Sequence, residues 1–305
     1  MKVFVTGATG VMGRSAVRAL QLAGHSVVGL ARDDAKAAAL SDEGVEPVRA
    51  RLFDIESLAE AFAECTVVCN MATCVPVGSQ AFRPRAWRAH DRIRSEGSRI
   101  VVAAARRAGV QRVVQESVSV IYADAGDEWI DEHSPVAVNG AVEPAVMAEA
   151  HAEEFGCASR DWIVLRFGAI VGDDALTSWR LSRARSGHAV GFGDPQSWTS
   201  VVHPDDVGSS VLAALSAPSG TYNVGAQPVR RQELVEAFAQ AVGRVQGRYA
   251  SRVLERMGGE RVELLTRSQR VSSDALMQAA AWKPLHGRFG VHWLTQPSRQ
   301  VVGAR

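Results

Sequence analysis

The stretch Lys2-Val3-Phe4-Val5-Thr6-Gly7-Ala8-Thr9-Gly10-Val11-Met12-Gly13 decides how the rest of the chain is read. Lys2 to Thr6 is a short apolar strand, and from Val11 to Ala23 apolar residues recur at helical spacing. Three glycines fill the passage between them. Gly7 permits the tight turn, Gly10 lets the backbone approach a pyrophosphate, and Gly13 allows the helix to pack closely on the strand. Thr9, Val11 and Met12 lie on the same loop and first helical turn, whose unpaired N–H groups and positive dipole end suit phosphate. Many turns use glycine, but a triplet directly after a strand and before a periodic helix is a dinucleotide fingerprint.

Outward from this loop the pattern repeats. Strands are predicted at Ser26 to Leu30, near Glu46 to Ala50, at Thr66 to Cys69, Arg112 to Gln115 and Trp162 to Arg166. Helices are predicted near Asp34 to Leu40, near Ile55 to Ala63, from Arg92 to Ala108, around Val146 to Phe155 and from Arg231 to Ala241. Continuous apolar strands alternating with helices imply an α/β fold with a doubly wound parallel sheet buried on both faces. After Gly172 the order loosens at Gly187, Gly191, Gly193 and Pro195. Residues 1–170 are therefore expected to form the dinucleotide-binding domain, and 171–305 the remaining sheet elements with a small lobe covering the substrate.

The end of the second strand selects the cofactor. An NAD site usually has a carboxylate there for the adenosine ribose, and Ala31 cannot serve. Arg32 offers a guanidinium fork to a 2′-phosphate instead, so NADP(H) is expected. The competing reading is a surface arginine balanced by Asp33 and Asp34.

Composition narrows the partners. With 34 basic and 33 acidic residues the chain has no overall field for nucleic acid or an anionic membrane. The arginines between Arg83 and Arg112 spread around helical turns and read as a solvated face. No run approaches a membrane span, and no secretory signal is recognisable, so a cytoplasmic location is expected. Cys65, Cys69, Cys74 and Cys157 lack zinc-site spacing and read as free thiols, with no metal expected. Composition says nothing of the oligomeric state.

Several further segments carry a family resemblance over nearly the whole chain: Gly109 to Val114 leading into Ser117-Val118-Ser119-Val120-Ile121-Tyr122, Leu165 to Gly168, Val201 to Val207, and Tyr222 to Gly225. With the glycine loop they resemble the extended and atypical short-chain dehydrogenases/reductases, which have a Rossmann-type fold and include nucleotide-sugar epimerases and dehydratases. The resemblance implies that Met71, Ala72 and Thr73 line the cofactor ribose and that Phe167, Gly168, Ala169 and Ile170 lie beside the nicotinamide. The family's adenine-contacting Asp aligns with Arg51, leaving Asp54 as the candidate.

That family catalyses with a Tyr-x-x-x-Lys pair, whose lysine lowers the phenol's pKa for proton exchange. Here Gly126, Ala226 and Val253 stand four residues after the three tyrosines, so no such pair exists. The expected tyrosine and lysine positions fall on Ala145 and Glu149, and the catalytic hydroxyl position on Val118. Ser117, Ser119 and Tyr122 remain as candidates to bind a ketone oxygen. Arg94 replaces an Asn of the family's site, which offers it a reach to substrate or solvent, but a plain helix-surface arginine is the preferred reading. His203 with Asp206 reads as structural.

Hydride transfer survives loss of the pair, because cofactor and positioning carry it. Gln115-Glu116-Ser117 and Gly126 to Glu132, together with the missing pair, are similar to antibiotic-tailoring reductases of actinomycetes. Trp87, Trp129, Trp179 and Trp198 suit a large planar ligand. The resemblance thus implies a ketoreductase using NADPH on a polycyclic aromatic polyketide such as an angucyclinone-like intermediate, its proton coming from water or a substrate hydroxyl. The alternatives are a non-catalytic NADP-binding redox sensor and a nucleotide-sugar epimerase or dehydratase.

Overall fold

In the computed structural model, which describes residues 1–295, seven strands build one parallel sheet. They are β1 (Lys2–Thr6), β2 (Ser26–Ala31), β3 (Glu46–Arg49), β4 (Val67–Asn70), β5 (Arg112–Val118), β6 (Asp161–Phe167) and β7 (Gly220–Val224). Their order is β3-β2-β1-β4-β5-β6-β7. The order reverses between β1 and β4, where Val5 lies opposite both Gly29 and Cys69. Such a switch point opens a crevice at the strands' carboxyl ends. Residues 296–305, the end of the expected second part, lie outside the described residues.

Alternation along β1 assigns the two faces. Val3 and Val5 pack with Met12, Ala16 and Leu20 of α1 (Val11–Leu22), while Phe4 points oppositely into Leu58 and Phe62. Helices α2 (Asp34–Asp42) and α3 (Ile55–Phe62) are each started by an aspartate, Asp33 accepting from the Lys36 N–H and Asp54 from the Ser57 N–H. The first face extends into the carboxyl-terminal half through Val207, Val211, Leu276 and Trp282. There Gly208 comes so close to α1 that a Cβ on it would lie 2.2 Å from the Ser15 carbonyl oxygen.

One predicted element is different. The chain turns helical already at α4 (Pro84–Arg92), with proline at its first turn, where its missing N–H costs nothing. A π turn at Ile93–Gly97 follows, and only then α5 (Ser98–Arg107). The single helix expected from Arg92 to Ala108 is therefore interrupted. Further on come α6 (Glu143–Phe155), α7 (Ala175–Arg185) and α8 (Pro204–Ala214), then short helices at Arg252–Met257 and Gly259–Leu264. Among the described residues no helix is long and apolar enough to cross a membrane.

Phe62 has no exposed surface and meets Phe4 edge-on with ring centroids 4.7 Å apart. Phe62→Ala should destabilise the fold by about 3–5 kcal/mol, through lost burial and the cavity left behind. Urea unfolding reads this as a lower midpoint, and an unchanged midpoint would contradict the assigned packing.

Candidate active site

The glycine loop sits at the sheet's carboxyl edge and leaves no room for side chains. Gly7 adopts φ of +65°, and a Cβ there would lie 2.7 Å from the Met71 carbonyl oxygen; one on Gly13 would lie 2.1 Å from the Gly7 oxygen. Helix α1 has Gly10 as its first flanking residue, no capping side chain and no acidic residue in its first turn. Its leading N–H groups are thus left for an outside acceptor, unlike those of α2 and α3. A dinucleotide's pyrophosphate fits this cradle, with Thr9, Val11 and Met12 around it.

Arg32 is exposed at the end of β2 and has no hydrogen bond or ion pair among the described residues. Both neighbouring carboxylates are otherwise engaged: Asp33 caps α2, and Asp34 pairs with Arg49. Asp54 caps α3 and also pairs with Arg51, so its carboxylate is already doubly held. Met71, Ala72 and Thr73 follow β4 directly, the first two packed against Gly7. Phe167 ends β6, and Gly168 packs so tightly that a Cβ would lie 2.6 Å from Ser200 Oγ. Because every strand is parallel, all these segments share one edge of the sheet.

Of the three positions to which the resemblance assigned tyrosine, lysine and a hydroxyl, two are apolar, Ala145 and Val118, and the third is Glu149. Ala145 is buried in one cluster with Ala141, Val142 and Leu264, against which Val118 packs. Glu149 turns away from that surface. It accepts Arg166 at 2.9 and 2.7 Å and Ser117 Oγ at 2.5 Å, in a buried network continued by Arg166 to the Tyr122 oxygen at 2.8 Å. Tyr122 is fully buried and donates to Asn223 at 2.8 Å, and burial raises its phenol pKa. Of the three candidate hydroxyls, Ser117 and Tyr122 are therefore occupied, while Ser119 is buried and makes no side-chain hydrogen bond among the described residues.

Above Val118 lies a largely apolar cavity of about 550 Å³. Trp87 and Trp179 form walls, and Phe82, Val120, Phe192 and Leu264 contribute further apolar surface. Trp129 and Trp198 do not line it; they sandwich Arg270, with ring centroids 4.2 and 4.7 Å from its guanidinium carbon. Its polar lining comes partly from one helical face, where His90 and Arg94 stand four residues apart.

Arg94 corrects the sequence expectation of a surface arginine. It is 7 % exposed, follows α4 in the π turn, and forms a two-point ion pair with Glu116 at 3.0 and 2.6 Å. Its remaining Nη1 has no partner among the described residues. His90 Nδ1 accepts the Cys74 backbone N–H at 3.3 Å, which in a neutral ring puts the proton on Nε2. Burial, with repulsion from Arg94 and Arg261, holds its pKa down at about 3. The spacing of these two residues was a legible signal; their burial was not.

Two other expectations concern side chains outside the cavity. His203 Nδ1 accepts the Asp205 N–H at 3.2 Å and so caps α8, and its ring stacks on His286 at 3.7 Å. His203, Asp205 and His286 present ligand atoms within 4.8 Å of one another, but the His203 Nδ1 lone pair is thus already engaged. All four cysteines are free thiols.

Comparison with known proteins places this geometry among relatives. A family model described as NAD(P)H-binding matches residues 7–218. A 3-diazoavenalumate denitrifying reductase of a Streptomyces species is 31% identical over 94% of this chain and 97% of its own. A ketoreductase of Stigmatella aurantiaca acting on 4-hydroxy-2-methyl-3-oxo-4-farnesyl-3,4-dihydroquinoline-1-oxide is 33% identical, over 45% of this chain and 39% of its own. Among solved structures, UDP-glucose 4-epimerase of Thermus thermophilus with NAD superposes with a TM-score of 0.76 at 23% identity, covering 97% of each chain.

The environment of His90 gives a pH dependence. Its folded pKa of about 3 lies below the ordinary value of 6.5, so the unfolded chain binds its proton first and stability is lost as pH falls below 6.5 toward 3. At pH 5 the loss from this one ring is about 2 kcal/mol. Denaturant unfolding at pH 7.5 and pH 5 should therefore show a smaller loss for His90→Gln than for wild type. Equal losses would mean that His90 titrates in the folded chain as it does in the unfolded one.

Proposed function

This chain belongs to the NAD(P)H-binding family, and from that premise we propose that it is an NADPH-dependent ketoreductase of flat polycyclic aromatic ketones. An aromatic polyketide intermediate of antibiotic tailoring, angucyclinone-like in shape, is the substrate class. The observation that carries this reading is the aromatic-walled cavity, which Val118 lines with no proton-transfer group and behind which Ala145 is buried in the same apolar cluster. Two relatives bear the names of reductases, one of them a ketoreductase, which supports reduction. Epimerisation needs a base in both directions, and Ala145 and Glu149 cannot form the usual one.

In this proposal residues 1–170 hold the cofactor and 171–305 cover the substrate. Gly7, Thr9, Gly10, Val11, Met12 and Gly13 bind the pyrophosphate, Arg32 the 2′-phosphate, and Asp54 borders the adenine. Met71, Ala72 and Thr73 flank the ribose, and Phe167 to Ile170 the nicotinamide. NADPH held there supplies the hydride. The cavity's aromatic walls would fix the ketone plane and hold the carbonyl carbon toward the sheet edge. As the carbon–oxygen π pair moves to oxygen, a phenol beside the ketone gives its proton to that oxygen, and water reprotonates the phenolate. Ser117 and Tyr122 hold Glu149 and Arg166 in place. Ser119 lies buried between the lining residues Val118 and Val120 and is the hydroxyl left to reach the ketone oxygen, directly or through water.

The test follows NADPH oxidation with polycyclic ketones that carry a neighbouring phenol, beside their O-methyl ethers. Reduction of the phenols with a loss of about 100-fold on methylation is expected if the substrate supplies the proton. Equal rates would put the acid on the protein or on bound water, with Ser119 as the first protein candidate. Tight NADPH binding without turnover on any ketone would leave the redox-sensor reading. Separately, Arg32→Ala should weaken NADPH binding about 10- to 100-fold and NADH only slightly. Equal weakening of both nucleotides would remove Arg32 from the phosphate site.

A further inference from the structure

Four arginines line the aromatic cavity, and their charges are balanced very differently. Arg94 is neutralised by Glu116 at 2.6 Å, and Arg261 by Asp91 at 2.7 Å while it also covers the Trp87 ring at 4.0 Å. Arg180 and Arg183, one helical turn apart on α7, have no carboxylate partner among the described residues. Arg183 donates Nε to the Ala189 carbonyl at 3.0 Å and sits 5.1 Å from the Trp179 ring centre. Arg180 makes no hydrogen bond or ion pair at all among the described residues.

The acidic group nearest in influence, Asp174, is not free to answer it. Asp174 caps α7 by accepting the Leu176 and Thr177 N–H groups at 2.8 and 3.0 Å and the Thr177 hydroxyl at 2.5 Å. Among the described lining residues the remaining carboxylate is Glu260, which is exposed at the rim and forms no ion pair with either arginine. A half-buried guanidinium facing an apolar cavity without a counter-charge is costly by itself. Burial also lowers the Arg180 pKa, opposed only by Asp174. An anion entering the cavity would relieve both effects.

We propose that Arg180, supported by Arg183, anchors an ionised acidic group of the ligand, a carboxylate or an enolate, and so selects acidic aromatic ligands over neutral ones of the same shape. This rests on reading the cavity as the substrate site. The anchor stands on α7, whereas Val118 and Arg94 come from the end of β5 and the π turn, so it is a separate contact from the ketone end. It positions the ligand and takes no part in proton transfer.

The test titrates the NADP⁺-saturated protein calorimetrically with anthraquinone-2-carboxylate and with neutral 2-(hydroxymethyl)anthraquinone. Wild type should favour the carboxylate about 10-fold, and Arg180→Gln should cut the preference to within about twofold. Arg180→Lys should keep part of it, and all variants should bind NADP⁺ as wild type does, which reports an intact fold. Equal wild-type affinity for the two quinones, or an undiminished preference in Arg180→Gln, would overturn the anchor while leaving turnover of neutral phenolic ketones untouched. Failure of both quinones to bind would overturn the anchor together with the cavity as the substrate site.

Discussion

The contact on which the rest depends is backbone against backbone. Gly7 presses on Met71 and Ala72, and Gly13 presses on Gly7, at the point where strand order reverses. Any larger residue would push α1 off the sheet and close the crevice. The loop thereby keeps the helix's free N–H groups aimed outward. On the same parallel sheet, the ends of β2, β4 and β6 deliver Arg32, Met71 to Thr73 and Phe167 to Ile170 to one edge.

Around that edge Glu149, Arg166 and Ser117 form one buried polar network. A lysine at the Glu149 position would face Arg166 across the helix-strand contact. The glutamate instead satisfies Arg166 and Ser117 together, a fully engaged buried pair of the kind that is stable only with complete hydrogen bonding. With the polar network turned inward, Val118 and Ala145 are left facing other apolar groups. A ligand in the cavity then meets aromatic surface, the free edge of Arg94 and the Nε2–H of His90.

Much of this was legible in the sequence because it is local. The βαβ opening, the uninterrupted apolar strands and the absence of a Tyr-x-x-x-Lys spacing are all read within a few residues. Arg94 was misread because its partner, Glu116, lies on β5, and only folding brings the two together. The helix around it was misread for a related reason: helical periodicity does not register the extra residue of a π turn. All four tryptophans lie against arginines, but only Trp87 and Trp179 reach the cavity, and composition does not distinguish those fates. Asp54 caps α3, a role that its place before a helix made legible.

Nucleotide binding underlies every later step and is directly measurable. Calorimetric titration of the purified wild-type chain with NADPH, and in parallel with NADH, should give saturable binding of one nucleotide per chain, tighter for NADPH. A chain that takes up neither nucleotide would contradict the role given to the glycine loop.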